Sequence, residues 1–259
     1  MRIKISLKGL RNKAFKRDHY YQLSSVVYNM LREANPEYSK WLHQKGYEDG
    51  YKHFKFFNIS KLIIRKENYQ LTGTNNELIL LKEDTAYFYV SSPIEEFLTN
   101  LVSYLLAKDT FKLGDHIVYI DRAVALPNPP ISENITFKSI TPIVITKKHS
   151  DYRTPFFIRA YQDPEEFDEY ITKNALEKYK ILTGKNANLS LNVDREYLKK
   201  KANRTVVKIQ LKENQTLFGS LVPVKAKGDP AILNFLYDVG LGEKNSQGMG
   251  MVEIAGYRF

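Results

Sequence analysis

The chain contains no cysteine. Disulfides and thiolate metal sites are therefore excluded, and a reducing compartment is favoured. No apolar run approaches the ~18 residues that span a bilayer. The opening stretch MRIKISLKGL alternates polar and apolar residues as a strand does, and it lacks the apolar core of a signal peptide. A soluble, cytoplasmic protein with no membrane partner is expected. Two phosphate-binding signatures are also missing. A dinucleotide fingerprint built on Gly240 and Gly242 needs glycine at 245, where Asn245 stands. Gly184-Lys185 is followed by Asn186, and Tyr179 takes the place of the first glycine of a phosphate-cradling loop. No cofactor is implied.

What is abundant is positive charge. The formal net charge is +10 and the sequence pI about 9.4, the electrostatic footprint of a protein with a polyanionic partner such as nucleic acid. Hydrophobic residues make up 43% of 259 residues, enough to build two modest cores or one large one.

Three prolines within ALPNPPISEN, residues 125–134, mark a linker. The order of elements on its two sides is similar. In the first half a strand is expected at Arg2–Leu7, helices at 19–34 and 36–45, and strands at 54–65 and, as a hairpin, 78–90. Ser92-Pro93-Ile94-Glu95 reads as a capping box opening a helix over 93–107, and a strand near 115–124 follows. In the second half a strand is expected at 135–146. A helix follows from Asp163-Pro164 to Gly184, then strands at 188–193, 205–212 and 217–224. A short helix from Asp229-Pro230 and a last strand after Gly250 complete it. Both halves read β-α-β-β-α-β. The fold class is α+β, with two tandem ferredoxin-like (RRM-like) domains at 1–125 and 135–259 and an added β-hairpin in the second.

Between Arg195 and Lys212 stand seven basic residues and one acid, Glu196. In TVVKIQLK, Val207, Ile209 and Leu211 point one way and Lys208, Gln210 and Lys212 the other, a half-buried strand with a cationic outer face. Lys199, Lys200, Arg204, Lys208 and Lys212 are candidate RNA-binding residues, since such a face suits a phosphate backbone. Lysines guarding a solvated edge are the plainer alternative. Near the C-terminal end, DVGLGEKNSQGMGMVEI places Gly240, Gly242, Gly248 and Gly250 around a polar insert that includes Lys244. Without side chains, such a backbone can approach a phosphate or another backbone closely. The acids Asp163, Glu165, Glu166, Asp168 and Glu169 lie at a helix N-terminus, where the macrodipole favours them. No histidine spacing nearby suggests a metal.

GLGEKNSQGMGMV, with FKSITPIVI at 137–145 and HYYQLSSVVYNMLREANP at 19–36, resembles the RAMP superfamily. Within it the chain is similar to the CRISPR-associated endoribonucleases that cut precursor CRISPR RNA within its repeats, enzymes of antiviral defence. The resemblance covers nearly the whole chain. It implies metal-independent cleavage by the RNA's own 2′-OH, leaving a 2′,3′-cyclic (or 3′) phosphate and a 5′-OH. CRISPR repeat RNA is the implied partner, with other subunits of a CRISPR interference complex as further ones. The alternative is a non-catalytic RAMP subunit that only binds RNA.

For the general base a histidine suits, its pKa being near neutrality. His43 ends PEYSKWLHQK just before Gly46, and Trp41-Leu42-His43 matches the family's aromatic-Leu-His pattern. His53 is the runner-up. His19 precedes the first helix, to contact RNA or to cap it, and His116 and His149 are read as structural or solvated. Tyr28 falls off the helical stripe Leu23, Val27, Met30, Leu31, Ala34, either to pack on the next helix or to act. The resemblance matches it to the active-site tyrosine. The resemblance also implies a lysine soon after the histidine. Lys52 fits the spacing best, with Lys45 and Lys55 as alternatives.

Overall fold

A computed structural model describes residues 1–50, 52–148 and 155–257. Ile3, Ile5 and Leu7 alternate inward along the strand Arg2–Lys8, which becomes the centre of a five-stranded antiparallel sheet. Its order is Asn58–Ile59, Ala86–Ser91, Arg2–Lys8, His116–Leu126, Thr110–Leu113. Helices α1 (Tyr20–Ala34), α2 (Pro36–Gln44) and α3 (Glu95–Ala107) complete this half. The apolar stripe of α1 packs with Phe57, Phe88 and Phe97 into one core. Burying each such ring contributes roughly 1.5–3 kcal/mol.

The second sheet runs Leu189–Val193, Val224–Gly228, Asn134–Ser139, Val252–Ile254. Helices α4 (Pro164–Thr183) and α6 (Pro230–Val239) supply the core beneath it, and α5 (Arg195–Lys201) is a short addition. Asp163 caps α4 by accepting from the Glu166 N–H at 2.9 Å, and Gly184 ends it with φ +71°. Both sheets have the first and third strands of their half at the centre, the ferredoxin-like arrangement. None of the described helices is long and apolar enough to cross a membrane.

Several elements differ from expectation. Leu78–Leu81 does not pair with Ala86–Ser91 as a hairpin. It joins Ala14–Lys16 and Tyr69–Thr72 in a separate three-stranded sheet. The helix expected at Pro93 begins at Glu95, because the Ser92 hydroxyl accepts from the Ile94 N–H and donates to the Phe56 carbonyl instead of closing a capping box. The expected strand 217–224 is two elements. Pro223 has no N–H to give, so the hairpin strand stops at Ser220 and the central sheet strand is Val224–Gly228. Both arms of the added hairpin, Val206–Lys212 and Gln215–Ser220, form a sheet of their own. Arg195 through Lys201 is helix, capped by Asp194 accepting from the Tyr197 N–H at 3.0 Å.

The two halves interlock. Phe57 enters the first core, while its neighbour Phe56, at φ +46°, enters the second and packs against Phe235. Arg2, 1% exposed, lies 3.9 Å from the centre of the Tyr237 ring and donates to the Tyr237 carbonyl at 2.7 Å.

Candidate active site and nucleic-acid interface

Tyr28 and His43 meet. Their rings are edge to face, with centroids 5.3 Å apart, because α2 turns back along α1 after Asn35. The Tyr28 ring also packs on Phe57, at 5.5 Å. Burial pushes the Tyr28 phenol up to about 12, and the neighbouring Ser246 side chain works in the opposite direction. The phenol is thus protonated at neutral pH. His43 is exposed at the last turn of α2. Lys55 Nζ donates to the His43 carbonyl at 3.0 Å and to that of Lys45 at 3.1 Å, satisfying orphan acceptors at the helix end. Burial holds the Lys55 amine below its usual range.

Beside this pair lies a cleft of about 650 Å³ between the halves. Seven lysines line it: Lys52, Lys55, Lys147, Lys148, Lys173, Lys178 and Lys244, against the acids Glu177 and Glu243. Such a bias focuses positive potential where a polyanion would lie. Lys52 Nζ is 2.6 Å from the Glu177 carboxylate of α4. His53 also lines the cleft, with Nδ1 3.2 Å from Glu48.

His19 and His116 are occupied. His19 is buried and does not reach solvent, so an RNA contact there is excluded. Its side chain does not cap α1 either. One ring nitrogen pairs with the Lys16 carbonyl at 2.9 Å and the other accepts from the Leu62 N–H at 2.9 Å, which requires the neutral ring. Burial accordingly lowers its pKa to about 4. His116 pairs with the Ala14 carbonyl at 3.0 Å. His149 lies outside the described residues.

The basic candidates fall into three places. Lys208 and Lys212 are exposed on the hairpin strand Val206–Lys212, and Lys212 lies 4.4 Å from the centre of the Tyr21 ring on α1. Lys199 and Lys200 are exposed on α5 and Arg204 on the turn after it, not on the hairpin. Arg195 is held by Asp168 at 2.8 Å and Glu165 at 3.2 Å. Lys244, exposed at φ +59°, lines the cleft itself.

The glycines do not form an RNA-facing surface. Gly240, Gly242, Gly248 and Gly250 are all buried. A Cβ on Gly240 would stand 1.9 Å from Asn58 Nδ2, and one on Gly248 2.9 Å from the Tyr20 ring, both in the first half. On Gly250 it would meet the Leu241 carbonyl at 1.8 Å. The close approach expected of them is to protein. The acids at the start of α4 are likewise engaged separately, Glu166 with Lys147 and Asp168 with the Val193 N–H at 2.8 Å. Among the described residues no group of three or more metal-ligating side chains is gathered.

Lys178 and Ser246 were missed by sequence reasoning. Lys178 is buried on α4 and donates to the carbonyls of Gly240 and Gly242 and to Asn245 Oδ1. Burial lowers its amine to about 7. The signal was present: Lys178 follows Ala175 by three residues, on the same helical face as Phe167 and Ile171.

A sequence profile described as "CRISPR-associated protein Cas6, N-terminal" matches residues 15–124, and one described as "CRISPR associated protein Cas6, C-terminal" matches 126–254. The CRISPR-associated endoribonuclease Cas6 1 of Methanocaldococcus jannaschii is 32% identical over 97% of this chain and 92% of its own. The CRISPR-associated endoribonuclease Cas6 of Pyrococcus furiosus is 26% identical over 95% of this chain and 86% of its own. A solved structure of a CRISPR-associated protein Cas6, 30% identical, superposes with a TM-score of 0.76 over 98% of this chain and 99% of that one.

Proposed function

The chain belongs to the Cas6 family of CRISPR-associated proteins, and from that premise we propose that it is an endoribonuclease cutting precursor CRISPR RNA within its repeats. The reaction is transesterification without a metal. The ribose 2′-oxygen forms a bond to the scissile phosphorus, the bond to the 5′-oxygen breaks, and a 2′,3′-cyclic phosphate and a 5′-OH result. His43 takes the 2′-OH proton. Tyr28, protonated at neutral pH, donates a hydrogen bond to the phosphate or the leaving oxygen. Lys52 stabilises charge developing on phosphorus. Its pair with Glu177 is partly exposed, and such pairs contribute about 0–1 kcal/mol, so a phosphate can take the ammonium over. Residues 1–125, as a first domain, carry the three side chains, and 135–259, as a second, carry the glycine-rich loop and the hairpin.

The observation that carries this reading is the Tyr28–His43 contact beside a lysine-lined cleft. Tyr21 and Tyr28 lie on one face of α1, two turns and ~10 Å apart. Lys212 against Tyr21 therefore begins a track that ends at His43, along which repeat RNA lies. The test is incubation with repeat RNA in EDTA. Cutting, blocked by a single 2′-deoxy nucleotide 5′ of the scissile phosphate, is expected. Cutting of the deoxy substrate would point to activated water. Tight binding without cutting would identify an RNA-binding subunit instead.

A further inference from the structure

Lys178 is unlike the other lysines of the cleft. It is 3% exposed, on the inner face of α4, and among the described residues its ammonium forms no salt bridge with a carboxylate. Its three donors meet three oxygens, the Gly240 carbonyl at 3.3 Å, the Gly242 carbonyl and Asn245 Oδ1 at 2.6 Å. Gly240 is the C-cap of α6, so the cation also sits at the negative end of that helix. A primary ammonium has three N–H groups, and here each has an acceptor.

Asn245 extends the arrangement. While its carbonyl oxygen takes Lys178, its amide nitrogen donates to the Leu241 carbonyl at 3.1 Å and the Met249 carbonyl at 3.0 Å. One side chain thus ties both arms of the glycine-rich loop together. The next residue, Ser246, carries the loop to the first half. Its carbonyl accepts from Ser24 Oγ of α1 at 2.8 Å, and its side chain neighbours the Tyr28 phenol, one turn further along that helix. A continuous path of polar contacts therefore runs from α4, through the loop, to the ring that meets His43. The path explains why asparagine, and not glycine, stands at position 245.

We propose that Lys178 is a positioning residue for cleavage: it fixes the glycine-rich loop so that Ser246 holds the Tyr28 phenol in place. The inference rests on Tyr28 acting in the reaction as argued above. Lys178 touches no RNA. Its loss lets the loop relax and leaves the phenol turned away from the phosphate.

Three variants test this: Lys178→Met, Ser246→Ala and the double variant, each checked for folding by circular dichroism. Two quantities are read, single-turnover cleavage at saturating RNA and the 13Cζ tyrosine resonance of Tyr28 in RNA-free protein, assigned with Tyr28→Phe. Lys178→Met and Ser246→Ala are each expected to slow cleavage about tenfold with Kd for repeat RNA within about twofold, and to move the Tyr28 resonance. The double variant is expected to be no slower than the worse single one, as residues acting as a unit behave. A Tyr28 resonance unmoved in folded Lys178→Met overturns the proposal. So does a double variant whose losses multiply. If Lys178→Met does not fold, Ser246→Ala decides alone: wild-type cleavage and an unmoved resonance sink the idea. A moved resonance combined with full activity in Tyr28→Phe locates the failure elsewhere, in the assignment of Tyr28 and not in the path.

Discussion

The hairpin and the glycine-rich loop of the second half both touch α1, and they are built differently. At the first turn, the hairpin docks with Ile209, Leu211 and Leu217 on Tyr20 and turns its lysines outward. Next to it, His19 is buried and must be neutral, because one ring nitrogen accepts from a backbone N–H. Further along, the glycine-rich loop meets Tyr28 through Ser246, and the buried group behind it is a lysine whose acceptors suit a cation. The hairpin displays charge, and the base buried beside Tyr20 is neutral. The loop has a buried charge behind it and shows Lys244 to the cleft. Affinity and its salt dependence should belong to the hairpin, and rate to the loop.

The largest expected effect is loss of stability in acid at the start of α1, where His19 is buried. The folded pKa of His19 is depressed to about 4 from 6.5, so the unfolded state binds the proton more readily. The stability it contributes is complete above pH 6.5 and is lost as pH falls towards 4, up to ~3 kcal/mol. Urea midpoints at pH 7 and pH 4.5 measure this, and a folded His19→Gln variant should show a smaller difference between them. An equal difference would remove His19 as its source.

Next in size is the rate. His43→Ala should slow single-turnover cleavage by ~10²-fold while repeat RNA binds nearly as before. A fully active variant would transfer the role to His53. Third, Gly248→Val forces a side chain against Tyr20 at φ +89°. Cleavage should fall roughly tenfold, or the protein lose about 1–3 kcal/mol of stability, with the salt slope of binding unchanged. A folded, fully active variant would show that the loop has room there. The smallest effect sharpens the hairpin side. Lys208→Ala combined with Lys212→Ala should weaken binding and reduce the log–log salt slope by ~0.7 per lost single-strand contact. Normal binding across a salt series would leave the hairpin a solvated edge.

Local signals were legible in the sequence wherever the chain dictates its own geometry. Asp163-Pro164 and Gly184 bound α4, Asp229-Pro230 opens α6, and an off-stripe Tyr28 meets the helix that carries His43. What was not legible depends on distant partners. Leu78–Leu81 is a short apolar run that would serve as a hairpin arm, and its pairing with Ala14–Lys16 and Tyr69–Thr72 puts it in another sheet. Gln215–Ser220 and Val224–Gly228 part at Pro223, and nothing local says which belongs to the second sheet. The lysines of the cleft come from four separate stretches of the chain, at 52–55, 147–148, 173–178 and 244, so their convergence is a property of the fold alone.

Phe56 and Phe57 are adjacent in the chain and belong to different cores. Two bodies that share such a pair cannot swing about a joint without tearing an aromatic ring from its packing. The cleft between them is a mould and not a jaw. A ligand that enters it must fit the shape already there.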